Sequence, residues 1–157
     1  MKKRLLRVIE TTSGSLGVDA SKGIFMVSKS SMNNLESKIV IYYQDYEEIF
    51  GIDKPHMPTI QKQMCIVKVK TRNGHAIYRE CIAHPLITTP CAAVTWNSLS
   101  MLNLENVKKP IVELSKSNRY AFYWHHPSHS VRVSVKLAVI GIIISIIAII
   151  ISMIVSL

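Results

Sequence analysis

An uninterrupted apolar segment constrains the fold of this chain more than any other feature. Residues 137–157 read LAVIGIIISIIAIIISMIVSL, without a charged residue or a proline. As an α-helix these residues would measure about 31 Å, close to the roughly 30 Å hydrocarbon core of a bilayer. A helix that is apolar on every side has no place in the core of a soluble domain of this size. The segment therefore predicts a single transmembrane helix that serves as a tail anchor.

The charges beside this segment predict its orientation. Arg132 and Lys136 precede it, and no basic residue follows it. The positive-inside rule then places residues 1–136 in the cytoplasm. The first residues, MKKRLLRVIETTSG, are basic but lack the apolar run of a signal peptide, which agrees with a cytoplasmic domain. We therefore predict a cytosolic domain of residues 1–130, a juxtamembrane linker of residues 131–136, and the membrane anchor.

The whole net charge of +9 lies before the apolar segment. The densest basic patch is formed by Lys2, Lys3, Arg4 and Arg7. Each cation near an anionic membrane surface contributes about 1 kcal/mol to binding, so the patch is suited to anionic lipid headgroups or to nucleic acid. We favour the simpler interpretation, a surface that improves solubility close to the membrane. The other basic residues are scattered along the chain, which argues against nucleic acid as a partner.

Two parts of the chain share one pattern. Residues 37–52 and 89–104, at an offset of 52, each contain a short apolar run followed by a brief helical stretch, DYEEIF or NSLSML. An alternating strand follows in each copy, CIVKVKT or PIVELSK, at an offset of 45. A turn then leads into NGHAIYRE at residues 73–80 or NRYAFYWH at residues 118–125. The pattern predicts a repeated unit of strand, helix, strand, hairpin and strand.

The residues at the ends of the two helical stretches strengthen this prediction. Asp45 and Asn97 stand where an N-cap is expected. Gly51 and Asn103 stand just past the helix ends, where a left-handed residue is expected. We expect the apolar residues on either side of this position, Ile49, Phe50 and Ile52 in one copy and Met101, Leu102 and Leu104 in the other, to be buried.

This arrangement resembles the double-psi β-barrel superfamily, in which two ββαβ-type halves interdigitate around six strands. The resemblance implies a mainly β, pseudo-symmetric small barrel with two short helices, whose halves cover residues 37–80 and 89–126. Another small β-barrel or a β-sandwich is the alternative. Two further strand-like runs, RLLRVIET and GIFMVSKS, precede the repeats. The pattern leaves open whether one of them completes the barrel or adds an outer hairpin.

The superfamily that the chain resembles includes both enzymes and binding modules. Gly14 and Ser15 lie ahead of the repeats, not in a barrel loop where aspartate α-decarboxylases carry their Gly-Ser cleavage site. The sequence has no GxxxxGK[ST] nucleotide-binding motif, so it is no AAA+ ATPase, although such enzymes carry related binding domains. Asp45, Glu47 and Glu48 are expected on a solvated helix face. The sequence therefore predicts no catalytic residue and no cofactor.

A cluster of rings and histidines directly precedes the anchor. WHHPSH places His125, His126 and His129 close together, a set that could bind a transition metal. Neighbouring residues on a strand point to opposite faces, which argues against a shared metal. We favour a membrane interface formed by Trp124, His125, His126, Arg132 and Lys136, since amphipathic rings settle at headgroup level.

The three cysteines predict no metal or disulfide. Cys65, Cys81 and Cys91 show no CxxC spacing, so a zinc site is not expected. Disulfides are rare in the reducing cytoplasm. We therefore expect free, buried thiols.

The anchor carries a stripe of small residues. Gly141, Ser145, Ala148, Ser152 and Ser156 follow each other at intervals of 4, 3, 4 and 4, which keeps them on one helical face. Small residues let helices approach closely in a membrane. The stripe predicts pairing with a second copy or with another membrane protein.

These features together predict a tail-anchored membrane protein that presents a cytosolic β-barrel binding module. We expect it to act as a non-catalytic accessory subunit or adaptor of a membrane complex. One alternative is a membrane-tethered enzyme that acts on a small molecule or lipid, with a pocket near His75 or His84. A second is a membrane-tethered nucleic-acid-binding protein.

Overall fold

The computed structural model describes residues 3–13, 17–19, 24–27, 35–52 and 64–155. The described strands are β1 (Lys3–Ser13), β2 (Gly17–Asp19), β3 (Ile24–Val27), β4 (Lys38–Ile41), β5 (Ile66–Thr71), β6 (Ala76–Ala83), β7 (Cys91–Thr95) and β8 (Ile111–Ser117). The described helices are α1 (Tyr43–Phe50), α2 (Trp96–Met101), α3 (Arg119–Trp124) and α4 (His129–Val155).

Six of these strands form a closed barrel, which confirms the predicted fold class. Around the barrel they follow the order β1, β7, β4, β6, β5 and β8, and β8 pairs again with β1. β2 and β3 lie outside the ring, where β3 pairs with the last residues of β1. The run RLLRVIET therefore completes the barrel, while the strand IFMV within the second run is an addition to it.

The strand pairings relate two halves of the barrel by a pseudo-twofold axis. One half contains β1, β4, α1 and β5, and the other contains β6, β7, α2 and β8. In this relation β1 corresponds to β6, β4 to β7 and β5 to β8. The pair β1–β7 is parallel, and so is its counterpart β6–β4. The pair β1–β8 is antiparallel, and so is its counterpart β6–β5. Equivalent strands meet where Val40 faces Ala93 and where Val69 faces Leu114. Each half thus has the order strand, strand, helix, strand.

The register corrects the predicted offset between the first strands of the two repeats. Ile39 and Ile41 point into the core, and their counterparts by pairing and burial are Ala92 and Val94, at an offset of 53 rather than 52. The offset returns to 52 at the left-handed residues after the helices. The reason is that α2 is two residues shorter than α1, while one additional residue, Leu102, separates the end of α2 from Asn103.

The strand predicted at residues 118–125 is wrong, because most of this segment forms helix α3. The Asn118 side chain accepts a hydrogen bond from the backbone N–H of Ala121 at 2.8 Å and so caps the helix. Phe122 buries its ring beneath the helix. No place remains for a strand here, because β1 already lies between β7 and β8. The predicted halves, 37–80 and 89–126, therefore differ from the observed ones.

The ends of the two short helices agree with the sequence prediction. Gly51 has φ 68° and Asn103 has φ 53°, so both adopt the left-handed conformation. Ile52 packs against the core, and Leu104 is part of it. The prediction for Met101 is wrong, because its side chain is 39% exposed.

The starts of these helices differ from the prediction. α1 begins after Tyr42 and α2 after Thr95, and neither residue makes a side-chain capping bond. Asp45 and Asn97 lie inside the first turns and are not caps. Asp45 is fully buried, which corrects the expectation of a solvated acidic face.

The main core fills the barrel interior. It receives inward-facing side chains from all six barrel strands together with residues of α1 and α2. Cys65 and Cys81 are free and buried, as predicted, while Cys91 is only partly buried. Cys65 lies opposite Cys81, whose N–H donates to the Cys65 carbonyl at 2.7 Å. Burial raises the pKa of the Cys81 thiol well above its usual value, which keeps it protonated and unreactive.

Helix α4 differs from the other three described helices, because none of its side chains is buried. Its 27 residues are long and apolar enough to cross a membrane. Residues 131–136, predicted as a linker, belong to this same helix. The helix therefore begins eight residues before the predicted anchor, and its first turns contact α3.

Candidate membrane-interface site

A groove lies between α3 and the first two turns of α4. It has a volume of about 320 Å³ and is lined by Trp124, His125, His129, Arg132, Val133 and Lys136. Four of the five predicted interface residues therefore meet in one place. His126 does not line the groove, whereas His129 and Val133 were not predicted to contribute. The helical continuation through residues 131–136 brings these two side chains in.

Aromatic contacts hold this groove against the barrel. The His125 ring stacks on Tyr78 of β6, with ring centroids 5.1 Å apart and an angle of 17° between the planes. His126 meets the buried Phe122 edge to face at 5.0 Å. The Ser128 N–H donates to Nδ1 of His126 at 3.1 Å, which fixes the turn before α4. The wall formed by α3 is therefore a packed part of the fold.

The groove is positively charged. Arg132 and Lys136 are four residues apart on α4, so their side chains share one helical face. The Lys136 ammonium lies 5.6 Å from the centre of the Trp124 ring, within the range of a cation–π interaction. No Asp or Glu follows Glu113 in the sequence. Among the described residues, no carboxylate pairs with either cation of the groove.

The histidine beside the groove is held neutral near pH 7. Burial is the main cause that lowers the pKa of His126. The positive charges of Arg79 and Arg132 lower this pKa further, against the opposing effect of the hydrogen bond with Ser128. A neutral Nδ1 can accept that hydrogen bond, so the protonation state suits the observed turn.

The predicted basic patch is divided between different contacts. Lys2 lies outside the described residues. Lys3 is exposed and pairs with Glu113 of β8 at 3.0 Å. Nε of Arg7 is buried and makes no hydrogen bond within the described part of the chain. Lys3 is therefore engaged with the barrel, and contact of this patch with lipid headgroups stays a prediction.

The Arg4 side chain makes contacts within the protein, with two carboxylates of α1. Its Nε donates to Oδ1 of Asp45 at 2.7 Å, and its Nη1 lies 2.8 Å from Glu48. Thr89 also donates to Oδ1 of Asp45, at 3.2 Å. The acids that were expected to be solvated thus include a buried carboxylate, and its partner lies 41 residues away in the sequence.

The small-residue stripe of α4 faces open space in the structure. Gly141 has no atom within 4 Å of the place where a Cβ would be. The Ser145 hydroxyl donates to the Gly141 carbonyl at 2.8 Å, so it is already used within the helix. Ser156 lies outside the described residues. Helix pairing through Gly141, Ser145, Ala148 and Ser152 remains a prediction.

The two histidines considered for an enzyme each have a local contact. His75 Nε2 lies 3.2 Å from Nδ2 of Asn103, and His84 Nδ1 accepts from the Leu86 N–H at 3.2 Å. Burial lowers the pKa of His84, whose ring packs edge-on against Phe25. Within the described residues, no three His, Cys, Asp or Glu side chains are placed to bind a metal ion.

A second surface, which the sequence did not predict, lies at the far end of β8 from α3. We call it the distal surface; it consists of Leu5, Lys70, Thr71, Arg72, Val107, Lys109 and Ile111, and the acidic Glu113 lines one of its cavities beside them. Its apolar members are unusually open, with Leu5 64%, Val107 47% and Ile111 43% exposed. Two shallow cavities of about 200 and 220 Å³ adjoin there. Ile111 begins β8 and Ser117 ends it before α3, a separation of roughly 20 Å.

The sequence matches no protein-family model and no curated protein. The function proposed for this chain therefore rests on its own residues and geometry.

Proposed function

We propose that this protein is a membrane-anchored binding module that acts without catalysis as an adaptor or accessory subunit of a membrane complex. α4 spans the membrane, and the barrel lies against its cytoplasmic surface. The observation that carries this proposal is the 27-residue apolar helix, which has no buried side chain and contacts the barrel through α3. A soluble protein would bury such a helix.

The orientation follows from the charges at the start of α4. Arg132 and Lys136 lie in its first two turns, and its remaining residues are uncharged. The positive-inside rule favours the side that carries these cations as the cytoplasmic one. We also propose that the barrel is a double-psi barrel, which is supported by its two ββαβ halves and their pseudo-twofold pairing.

The distal surface is the binding surface of the proposed module. Exposed Leu5 and Ile111 offer an apolar contact, and Lys70, Arg72 and Lys109 surround it with positive charge. Glu113 is its acidic neighbour, but it is paired with Lys3. This combination fits a protein segment that carries apolar side chains flanked by acidic residues, because complementary charge gives both specificity and fast association.

Membrane insertion is tested by alkaline extraction of membranes that contain the full-length protein. We expect the wild-type protein to stay in the membrane pellet. Replacement of Ile146 and Ile147 by Arg should release it, since each Arg at the centre of a span costs about 3 kcal/mol. Replacement of the same two residues by Leu is the matched control and should change nothing. Release of the wild-type protein would refute the anchor.

Partner binding is tested by purification of the full-length protein in mild detergent with quantitative mass spectrometry. We expect the Leu5→Glu, Ile111→Glu double variant to lose a stoichiometric partner with an acidic segment, because like charges then face each other. Leu86→Glu is the control, since Leu86 is exposed but lies outside the distal surface. Equal partner recovery from all three proteins would exclude the distal surface as the binding site.

A further inference from the structure

We infer that the groove between α3 and α4 binds the phosphate of an anionic lipid headgroup. This inference rests on the proposed function, because it needs α4 to lie in a membrane. It goes further by assigning a ligand of defined chemistry to one set of residues.

The position of the groove is the first argument. Lys136 is the last charged residue of the sequence, and the uncharged stretch of α4 starts at Leu137. Lys136 and Trp124, in contact with each other, both line the groove. Lys ammonium groups and Trp rings prefer the interface between hydrocarbon and water. The groove therefore opens at headgroup depth once the helix is inserted.

The charge of the groove is the second argument. Arg132 and Lys136 converge on it from one face of α4, and His125 and His129 add ring nitrogens. The planar guanidinium of Arg matches two phosphate oxygens at once, and a Lys ammonium supplies a second positive charge. Without a carboxylate partner in the described structure, both cations are available to an anion. A zwitterionic headgroup would bring its own ammonium group close to these cations and would fit less well.

The rigidity of the groove is the third argument. The stack of His125 on Tyr78 fixes the α3 wall against the barrel, and the contact between Trp124 and Lys136 links that wall to α4. Its volume of about 320 Å³ lies at the lower end of the range for small-molecule sites. A flexible basic tail attracts anionic lipids through non-specific electrostatics. A preorganised groove can instead bind and retain an individual lipid molecule.

The experiment compares full-length proteins in phosphatidylcholine nanodiscs that contain a minor fraction of phosphatidylglycerol. Native mass spectrometry after release from the disc measures how much phosphatidylglycerol each protein retains over phosphatidylcholine. We expect the wild type to retain phosphatidylglycerol preferentially. Arg132→Gln with Lys136→Gln should reduce this preference roughly tenfold. Arg132→Lys should reduce it less, because it keeps the charge and loses only the planar fork.

The matched control is Lys38→Gln with Lys108→Gln, which changes the net charge equally at residues that line neither the groove nor the distal surface. This control should retain phosphatidylglycerol like the wild type. An equal loss in both double variants, or no preference in the wild type, would overturn the inference. A further arm adds millimolar inorganic phosphate to the same mixed discs. Displacement of phosphatidylglycerol by millimolar phosphate would show that the site serves free phosphate instead of a lipid.

The two levels of the proposal fail in distinguishable ways. Each protein is first checked for co-migration with the nanodisc during size-exclusion chromatography. Absence of co-migration by the wild type would contradict membrane anchoring itself. Co-migration of every variant together with unselective lipid retention would leave the anchor intact and remove only the headgroup site.

Discussion

The two halves of the barrel use the same contact with different chemistry. In each half an arginine of the first strand donates from Nε to the third residue of the helix. Arg4 donates to Asp45 at 2.7 Å, and Arg79 donates to Ser98 at 3.0 Å. Asp45 and Ser98 are equivalent by the 53-residue offset, and both are fully buried. The acceptor is a carboxylate in one half and a hydroxyl in the other.

This difference determines where each arginine is placed. Arg4 pairs with two carboxylates and keeps about a third of its side chain exposed. Arg79 is fully buried, and its remaining groups contact the Tyr78 carbonyl at 2.9 Å and the Met101 sulfur at 3.2 Å. Burial lowers the pKa of Arg79 to about 10, so it stays protonated at neutral pH. Pseudo-symmetry thus preserves the geometry of the contact but not its charge balance.

The largest effect is expected from Arg4→Met. This change leaves the buried Asp45 carboxylate without its cation, and removal of one partner of a buried ion pair costs about 3 kcal/mol. The free energy of unfolding, measured by urea denaturation of the full-length protein in mild detergent, checks this. Lys3→Met is the control and should cost less than about 1 kcal/mol, because the Lys3–Glu113 pair is exposed. Equal losses in the two variants would contradict the structural role of Arg4.

A smaller loss of about 1–2 kcal/mol is expected from Ser98→Ala in the other half. The change leaves Nε of Arg79 and the Thr95 hydroxyl, 3.3 Å from Ser98, without their partner. Ser100→Ala on the same helix is the control, because Ser100 is only partly buried; it should have little effect. If both alanine variants unfold at the same urea concentration as the wild type, the buried arginine does not depend on this hydroxyl.

The left-handed residue after each short helix can be exchanged between the two halves. Gly51→Ala should lower the free energy of unfolding by about 1 kcal/mol, because a Cβ is unfavourable in the left-handed conformation. Gly51→Asn installs the residue that the second half uses at Asn103 and should cost roughly half as much. The same urea titration compares them. A larger loss for Asn than for Ala would show that the two ends are not equivalent.

The smallest effect concerns the influence of Arg79 on His126. Arg79→Met removes a positive charge that lowers the pKa of His126, so NMR titration should show this pKa move upward. Arg4→Met should leave it unchanged. Because the folded-state pKa of His126 lies below the ordinary value of 6.5, the unfolded chain binds the proton first as the pH falls. Stability should therefore decrease below about pH 6.5, and less steeply in the Arg79 variant.

Local patterns were sufficient to predict part of this fold. The alternation in β5 and β8 puts Val67 and Val69 on one face of their strand and Val112 and Leu114 on the matching face of theirs, and all four are buried in the core. The left-handed residues after both helices also followed from sequence, because Gly and Asn are the types that tolerate that conformation. Such features depend on neighbouring residues alone.

The features that the sequence did not predict depend on distant partners. The sixth strand of the barrel is β1 and not residues 118–125, because β1 pairs with both β7 and β8. Burial of Asp45 depends on Arg4, far from it in sequence. The residues of the candidate groove were largely predicted. Val133 was missed because residues 131–136 were taken as a linker, and His129 was considered only as a possible metal ligand. Their helical conformation turns these side chains toward the groove.

The completion of the barrel by β1 has a consequence for how the protein folds. β1 leaves the ribosome first, yet its neighbours β7 and β8 are the last barrel strands to be made. The barrel cannot close until β8 has been synthesised, and such non-local pairing folds slowly, over milliseconds to seconds. α4 follows β8 after a single short helix, so under the proposed membrane anchoring the closure of the barrel and the insertion of α4 would follow each other closely. A chaperone that shields both the open barrel and the apolar helix would then serve two steps of biogenesis at once.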